Sequence, residues 1–248
     1  GSTGGTIKVL TLVASAGNVF NINGGGTQSM IFRDCVIANS SNVGVLQSFT
    51  LVFGSVIQFV SNSNGLIYRN IGKLLLDNQA WFGNNLGTFE KYEGTFTSIQ
   101  KQGGFMDVNG TAIGMDMSSN PTVSSDGTLY GVNFAGTLST GLYVKGYTTG
   151  SYTGFNFNNT WNVNCSGIPF EGDRVAVGDI NYDYPVGSGV STTVSGSPAK
   201  LAGTTTSDNL FRFSRGGTDN RLQYLGKAKR FFKVSGSVSF QSSTNGIV

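Results

Sequence analysis

Asn42-Val43-Gly44-Val45-Leu46, Asn64-Gly65-Leu66-Ile67 and Leu86-Gly87-Thr88-Phe89 are three versions of one phrase. Their glycines fall at 44, 65 and 87, so the spacings are 21 and 22 residues. A near-regular period in this range is the mark of stacked repeat units. Each unit is rich in Val, Ile, Phe, Thr, Gly and Asn and holds no run of helix formers, so it reads as one coil of short strands. The reading is all-β: a parallel β-helix or β-solenoid, with Leu46, Ile67 and Phe89 expected as one stacked ladder at the inter-strand spacing of about 4.8 Å.

Outward from 42–109, the chain keeps the same character. Residues 6–16 alternate partly and read as a first strand. Asn18–Ile22 and Met30–Ile37 follow, joined by Gly24-Gly25-Gly26. Coils turn at polar clusters such as Ser61-Asn62-Ser63-Asn64, and Asp77-Asn78 ends a coil where a ladder of Asn or Asp is expected. After 109 the strands 128–134, 141–145 and 154–157 are closer together. That fits shorter coils or a prism-like arrangement. The shaft is therefore assigned to 1–168 and a turn-rich linker, holding Pro169, Pro185 and Pro198, to 169–203. From 204 to 248 the pattern changes to antiparallel-type strands at 210–213, 221–225 and 231–240. In the last of these Phe232, Val234, Val238 and Phe240 share a face. Gly1-Ser2-Thr3-Gly4-Gly5 reads as an added or boundary sequence, and the chain is expected to stop inside its second domain.

Composition agrees with this. Glycine occurs 37 times in 248 residues, roughly twice its usual share, while charged residues make up 12 %, about half the usual level. Hydrophobic content of 38 % with 18 Phe and 9 Tyr is enough for a core and argues against disorder. Net charge is +3, too small to call for nucleic acid. Lys227, Lys229, Arg230 and Lys233 read as a solvated strand face. Cys35 and Cys165 are expected as buried free thiols, several coils apart. No apolar run approaches 18 residues, so no membrane insertion is expected.

Two segments resemble a known family. Asp219-Asn220-Arg221-Leu222-Gln223-Tyr224-Leu225-Gly226 and Arg230-Phe231-Phe232-Lys233-Val234-Ser235-Gly236-Ser237-Val238-Ser239-Phe240 resemble the opening strands of TNF/C1q-like jelly-roll heads. Such heads recur at the tips of bacteriophage tail fibres and tail spikes, and the Gly/Asn/Thr-rich repeat before them is similar to their β-helical shafts. The resemblance implies a partial jelly-roll-like head on the shaft. It also implies a homotrimer on the virion, which binds a host-surface polysaccharide or protein receptor, with polysaccharide cleavage in some members. It carries no catalytic residue onto this chain.

The chemistry is read from what is present. There is no histidine, so Ser-His-Asp, Cys-His and His-ligated metal chemistry are excluded. No phosphate-binding or dinucleotide motif occurs, the calcium nonapeptide is missing, and no cofactor or metal is expected. Paired carboxylates are the one catalytic option. Glu171, Asp173, Asp179 and Asp183 form the acidic set, with Asp173 expected beside Arg174 in an ion pair or turn. Asp179, Tyr182, Asp183 and Tyr184 are candidates for sugar contact, Tyr182 offering a ring for stacking. A solvated turn is the competing account. Trp81 and Phe82 are read three ways, as subunit packing, core or a carbohydrate platform, and Trp161 likewise. Glu90, Glu93 and Asp116 are expected to face solvent. The long turns 61–64, 118–127 and 187–199 are natural contact sites. The function expected is a trimeric fibre or spike for host attachment. The alternatives are a polysaccharide-degrading β-helix enzyme and a bacterial surface adhesin.

Overall fold

A computed structural model describes residues 4–185, 187–193, 196–216 and 220–240. Strands β1 (Gly4–Lys8), β2 (Thr11–Leu12), β3 (Asn18–Asn23), β4 (Ser29–Ala38), β5 (Asn42–Gln47), β6 (Leu51–Val60), β7 (Leu66–Phe82), β8 (Thr88–Asp107), β9 (Ile113–Asp116), β10 (Thr122–Ala135), β11 (Leu142–Lys145) and β12 (Trp161–Ser166) form one 12-stranded sheet. All its pairings are parallel, and it winds into a solenoid of about six turns. Among the described residues there is no α-helix, and so none long and apolar enough to cross a membrane.

Each coil has three faces. In the second full coil they are 42–47, 51–55 and 57–60, and the next coil repeats them at 66–69, 73–77 and 79–82. We call these faces 1, 2 and 3. The bend between faces 2 and 3 has one backbone solution in every coil: a single residue in the left-handed region. Val9, Asp34, Val56, Asn78, Gly103 and Gly131 occupy that column, with φ between 52° and 65°. Gly, Asn and Asp adopt this conformation readily, because they lack a branched Cβ or bond their own backbone. The abundance of Gly and Asn follows from this need for corners.

Strand alternation sends every second side chain inward. Leu46, Tyr68 and Tyr92 stack on face 1; Val52, Leu74 and Ile99 on face 2; Ile37, Phe59, Trp81, Met106 and Phe134 on face 3. All are buried. Phe59 and Trp81 lie parallel with centroids 3.8 Å apart. The expected ladder Leu46–Ile67–Phe89 is out of register, Ile67 by one residue and Phe89 by three. Ile67 sits opposite Val45 and Lys91, because Gly44 pairs with Leu66 and not with Gly65. Asp77-Asn78 does not end a coil but forms the bend between faces 2 and 3, where Val56 and Gly103 interrupt the expected Asn/Asp ladder; a polar ladder lies where face 3 returns to face 1. Asn62 Oδ1 accepts from the Ser40 N–H at 3.1 Å, and Asn85 Oδ1 accepts from the Asn62 N–H at 2.9 Å.

From Ser29 onward the coils lengthen along the chain and do not shorten. Ser29 pairs with Leu51, Lys73 with Ser98, Ser98 with Asp126 and Gly127 with Trp161. The close spacing of strands after 109 reflects faces of one coil. Residues 122–127, expected as a turn, begin β10, and 154–157 form a loop. Cys35 is buried, Cys165 half-buried, and both are free thiols.

Beyond β12 two small antiparallel sheets follow. β13 (Val177–Gly178) pairs with β14 (Leu210–Phe211), and β15 (Phe213–Gly216) pairs with β16 (Arg221–Tyr224). They close the end of the solenoid. Phe211 stacks on Phe155 of the last coil at 3.9 Å, and Arg212 is buried against it. The expected strand over 231–240 pairs with nothing among the described residues; Phe232 alone packs back, on Phe213 and Tyr224. Lys227, Lys229, Arg230 and Lys233 are accordingly exposed but lie on no strand. Asp219 and 241–248 lie outside the described residues.

Candidate functional site

The acidic set divides into separate structural roles. Glu171 is buried, and its two oxygens accept the N–H groups of Asn156 at 2.7 Å and Phe157 at 2.9 Å. Burial pushes its carboxyl up to about 7 against those bonds and the Arg212 charge. Asp173 pairs with Arg212 at 2.7 Å and not with Arg174; it also accepts the Ala228 N–H at 2.6 Å. Burial raises its carboxyl, but the Ala228 N–H and Arg212 outweigh that and hold it below the usual range. Asp179 accepts the N–H groups of Asp208 and Asn209 at 3.0 and 2.6 Å, which lower its carboxyl. These three carboxylates hold main chain together. Asp183 is exposed beside them.

Tyr182 and Tyr184 do come together. Alternation along 182–184 puts both rings on one side, with centroids 4.7 Å apart and planes at 54°. Tyr184 Oη accepts the Thr204 N–H at 2.9 Å, and its contacts with Thr204 hold the phenol below its usual pKa. Gly203 makes the approach possible, since a Cβ there would stand 2.4 Å from Tyr182 Oη and 2.7 Å from Tyr184 Oη. Both tyrosines stay half-exposed on the closed end.

The tryptophans are core residues. Trp81 and Trp161 are each 0 % exposed, so no ring face is open to a sugar. Trp81 is clamped between Phe59 and Phe89, and its Nε1 donates to Glu90 Oε1 at 2.8 Å. Trp161 lies over Gly127, where a Cβ would stand 2.3 Å from the indole, and its Nε1 donates to Tyr147 Oη at 3.0 Å. Burial pushes the Tyr147 phenol up to about 12. Phe82 points the other way, as a strand neighbour of Trp81 must. Its ring lies 5.9 Å from that of Phe105 on the outside of face 3.

Two expectations of solvated carboxylates also change. Glu90 is 0 % exposed, and Asp116 is buried, accepting the Ser118 N–H at 2.9 Å and lying 3.9 Å from Lys145. Glu93 is on the outside, between Arg69 at 2.5 Å and Lys91 at 2.6 Å. Burial raises its carboxyl, but the hydrogen bonds and charges of these two cations together outweigh it and hold the carboxyl low.

The sequence reading passed over one surface. Phe53 and Leu75 stack on the outside of face 2, beside Asp77, Gln100 and Gln102, and line a shallow groove of ≈ 180 Å³. The signal was Leu74-Leu75-Leu76: in a strand with alternating faces, the middle of three leucines must face out. A second groove of ≈ 250 Å³ lies at the corner near Asn70, Thr95 and Thr122. Among the described residues, Asp77 is the one carboxylate lining either groove, and no three His, Cys, Asp or Glu side chains gather as a metal site.

Compared with protein-family models, with curated proteins and with solved structures, the chain matches none.

Proposed function

We propose that this chain is the shaft of a homotrimeric bacteriophage fibre or spike that attaches to a host-surface polysaccharide. The observation that carries this reading is the parallel solenoid itself. Its backbone groups pair from coil to coil, which gives a stiff rod with open edges at the ends alone. The charge pattern supports side-by-side packing. Face 1 carries the ion-paired Arg69, Lys91 and Glu93, and face 2 carries Arg33, Lys73, Asp77 and Asp126. Face 3 presents Val36, Gln58, Val60, Ala80, Phe82 and Phe105, with Asp107 as its single charge in that stretch. A half-buried apolar stripe on one of three faces is the surface that a three-fold bundle would cover. The Tyr182–Tyr184 pair on the closed end and the Phe53–Asp77 groove are the surfaces offered to a glycan, since sugars stack on aromatic rings and bond to flanking amides and carboxylates.

Light scattering after size exclusion tests the assembly. A trimer that Phe82→Glu and Phe105→Glu dissociate supports it, and a monomeric mass for the unmodified chain defeats it. Binding to purified host polysaccharide tests recognition: loss in Tyr182→Ala/Tyr184→Ala, with the fold intact by circular dichroism, places it on the closed end. Reducing ends released from that polysaccharide would support the degrading enzyme in its place.

A further inference from the structure

Three polar side chains from three faces meet in the apolar interior of the solenoid. Lys101 Nζ lies 2.9 Å from Glu90 Oε1 and 3.0 Å from Gln79 Oε1. Lys101, Glu90 and Gln79 are 1 %, 0 % and 1 % exposed. Each replaces an apolar residue or glycine in its column: Leu76 and Leu129 flank Lys101, Leu66 and Met115 flank Glu90, and Ile57 and Gly104 flank Gln79. A buried ion pair does not by itself favour folding over an apolar filling of the same volume. The placement has the parts of an acyl transfer: an amine, an amide and a carboxylate in contact in a dry site.

We propose that Lys101 and Gln79 become joined by an intramolecular isopeptide bond, with Glu90 carrying the protons. Glu90 takes a proton from the Lys101 ammonium, leaving a neutral amine. Lys101 Nζ then attacks Gln79 Cδ to form the new C–N bond. Glu90 passes its proton to Gln79 Nε2 and takes one from the attacking nitrogen, and the Cδ–Nε2 bond breaks. The released ammonia takes that proton from Glu90 and leaves as ammonium, so Glu90 ends as the carboxylate it began as. No oxidant or reductant is needed.

The surroundings suit each part. Glu90 is fixed by two further donors, the Trp81 indole at 2.8 Å and the Tyr92 hydroxyl at 2.6 Å. Both Glu90 oxygens are held by donors whereas Gln79 Nε2 is held by none, which makes Gln79 the electrophile. Gln79 Nε2 has no hydrogen-bond partner, so nothing in the protein anchors the leaving nitrogen. Gly54 makes room for it: a Cβ there would stand 2.9 Å from Nε2. Tyr68 Oη is likewise buried without a hydrogen-bond partner and lies against the Gln79 amide. The bond would tie face 3 of one coil covalently to face 2 of the next.

The intact mass of the purified chain after denaturation, followed by peptide mapping, decides the matter. The expected result is a chain lighter than its sequence by one ammonia, with one branched peptide that joins residues 79 and 101. Glu90→Gln should restore the full sequence mass; a cross-link that persists in that variant would overturn the role of Glu90. A wild-type chain of full sequence mass overturns the proposal. So does loss of one water with a bond between Lys101 and Glu90, or loss of ammonia as a succinimide at Asn64-Gly65 or Asn109-Gly110, which yields no branched peptide. The wild-type measurement is decisive even where the variant fails to fold.

Discussion

Arg212 and Asp173 lock the closed end of the solenoid through an ion pair of 2.7 Å between a guanidinium and a carboxylate that are both nearly enclosed. The same guanidinium donates to two carbonyls of the last coil, Asn159 at 3.0 Å and Trp161. Arg212→Ala removes these bonds and strands a buried carboxylate, a loss of about 3–5 kcal/mol. The expected outcome is selective cleavage after residue 203 in limited proteolysis, with the shaft intact. Equal resistance in wild type and variant would show that the closed end is held some other way.

Val56 occupies the left-handed corner between faces 2 and 3 with φ 54°. Its neighbours in the column are Asp34 and Asn78, which accept that conformation, whereas a β-branched residue is strained there by about 1–2 kcal/mol. The side chain is 44 % exposed, so little packing is lost on removing it. Val56→Asn should raise the midpoint of denaturant unfolding by about 1 kcal/mol of stability. Asn78→Val should lower it by a similar amount. A stability change of opposite sign at either position would show that the corner is not the strained element.

The corners also explain what could be read from the sequence. Gly and Asn at a near-constant period mark positions where the chain must turn, so the solenoid was legible. Register was not. Aligning Gly44 with Gly65 misplaces the ladder by one residue, because the hydrogen-bonded partner is chosen by the inward stack Leu46–Tyr68–Tyr92, and a slip of one inverts the faces. Glu90 was expected to face solvent, and its burial against Lys101 escaped the sequence for a related reason. They lie eleven residues apart on different faces, and a strand pattern says nothing about which faces converge. Tyr182 and Tyr184 were legible as a pair since i and i+2 share a side. The roles of Glu171 and Asp173 depend on Asn156, Phe157 and Arg212, too distant in the chain for spacing to reveal.

Glu171 makes the closed end sensitive to pH. Its folded-state carboxyl is raised from 4.5 to about 7, chiefly by burial. A raised carboxyl binds its proton more tightly when folded, so its contribution is complete below pH 4.5 and is lost as pH rises through 7. The difference corresponds to about 3 kcal/mol at most. The facing groups are the N–H groups of Asn156 and Phe157 and the Arg212 charge, all of which favour ionisation and limit the effect. Proteolysis of the closed end should therefore be slower at pH 5 than at pH 8, and Glu171→Gln should flatten the difference. A rate that falls as pH rises from 5 to 8 would reverse the sign and exclude Glu171 as its source.

Asn62 is the middle of the buried turn ladder and makes four bonds there. Its Oδ1 takes the Ser40 N–H, its Nδ2 donates to the Ile37 carbonyl at 2.9 Å and to Asn85 Oδ1 at 3.2 Å, and its own N–H donates to Asn85. A leucine of similar size keeps the last bond and loses the other three. The Ser40 N–H is then buried without a partner, which costs about 1–3 kcal/mol, and the Ile37 carbonyl loses one donor. Asn62→Asp keeps the acceptor for Ser40 but turns a donor into a second acceptor facing the Ile37 carbonyl and Asn85 Oδ1. Both variants should unfold at lower denaturant with an unchanged slope, because the loss is local bonding and not exposed area. If Asn62→Leu were as stable as wild type, the corner would be held by apolar packing, and the ladder would be a consequence of the turn and not its cause.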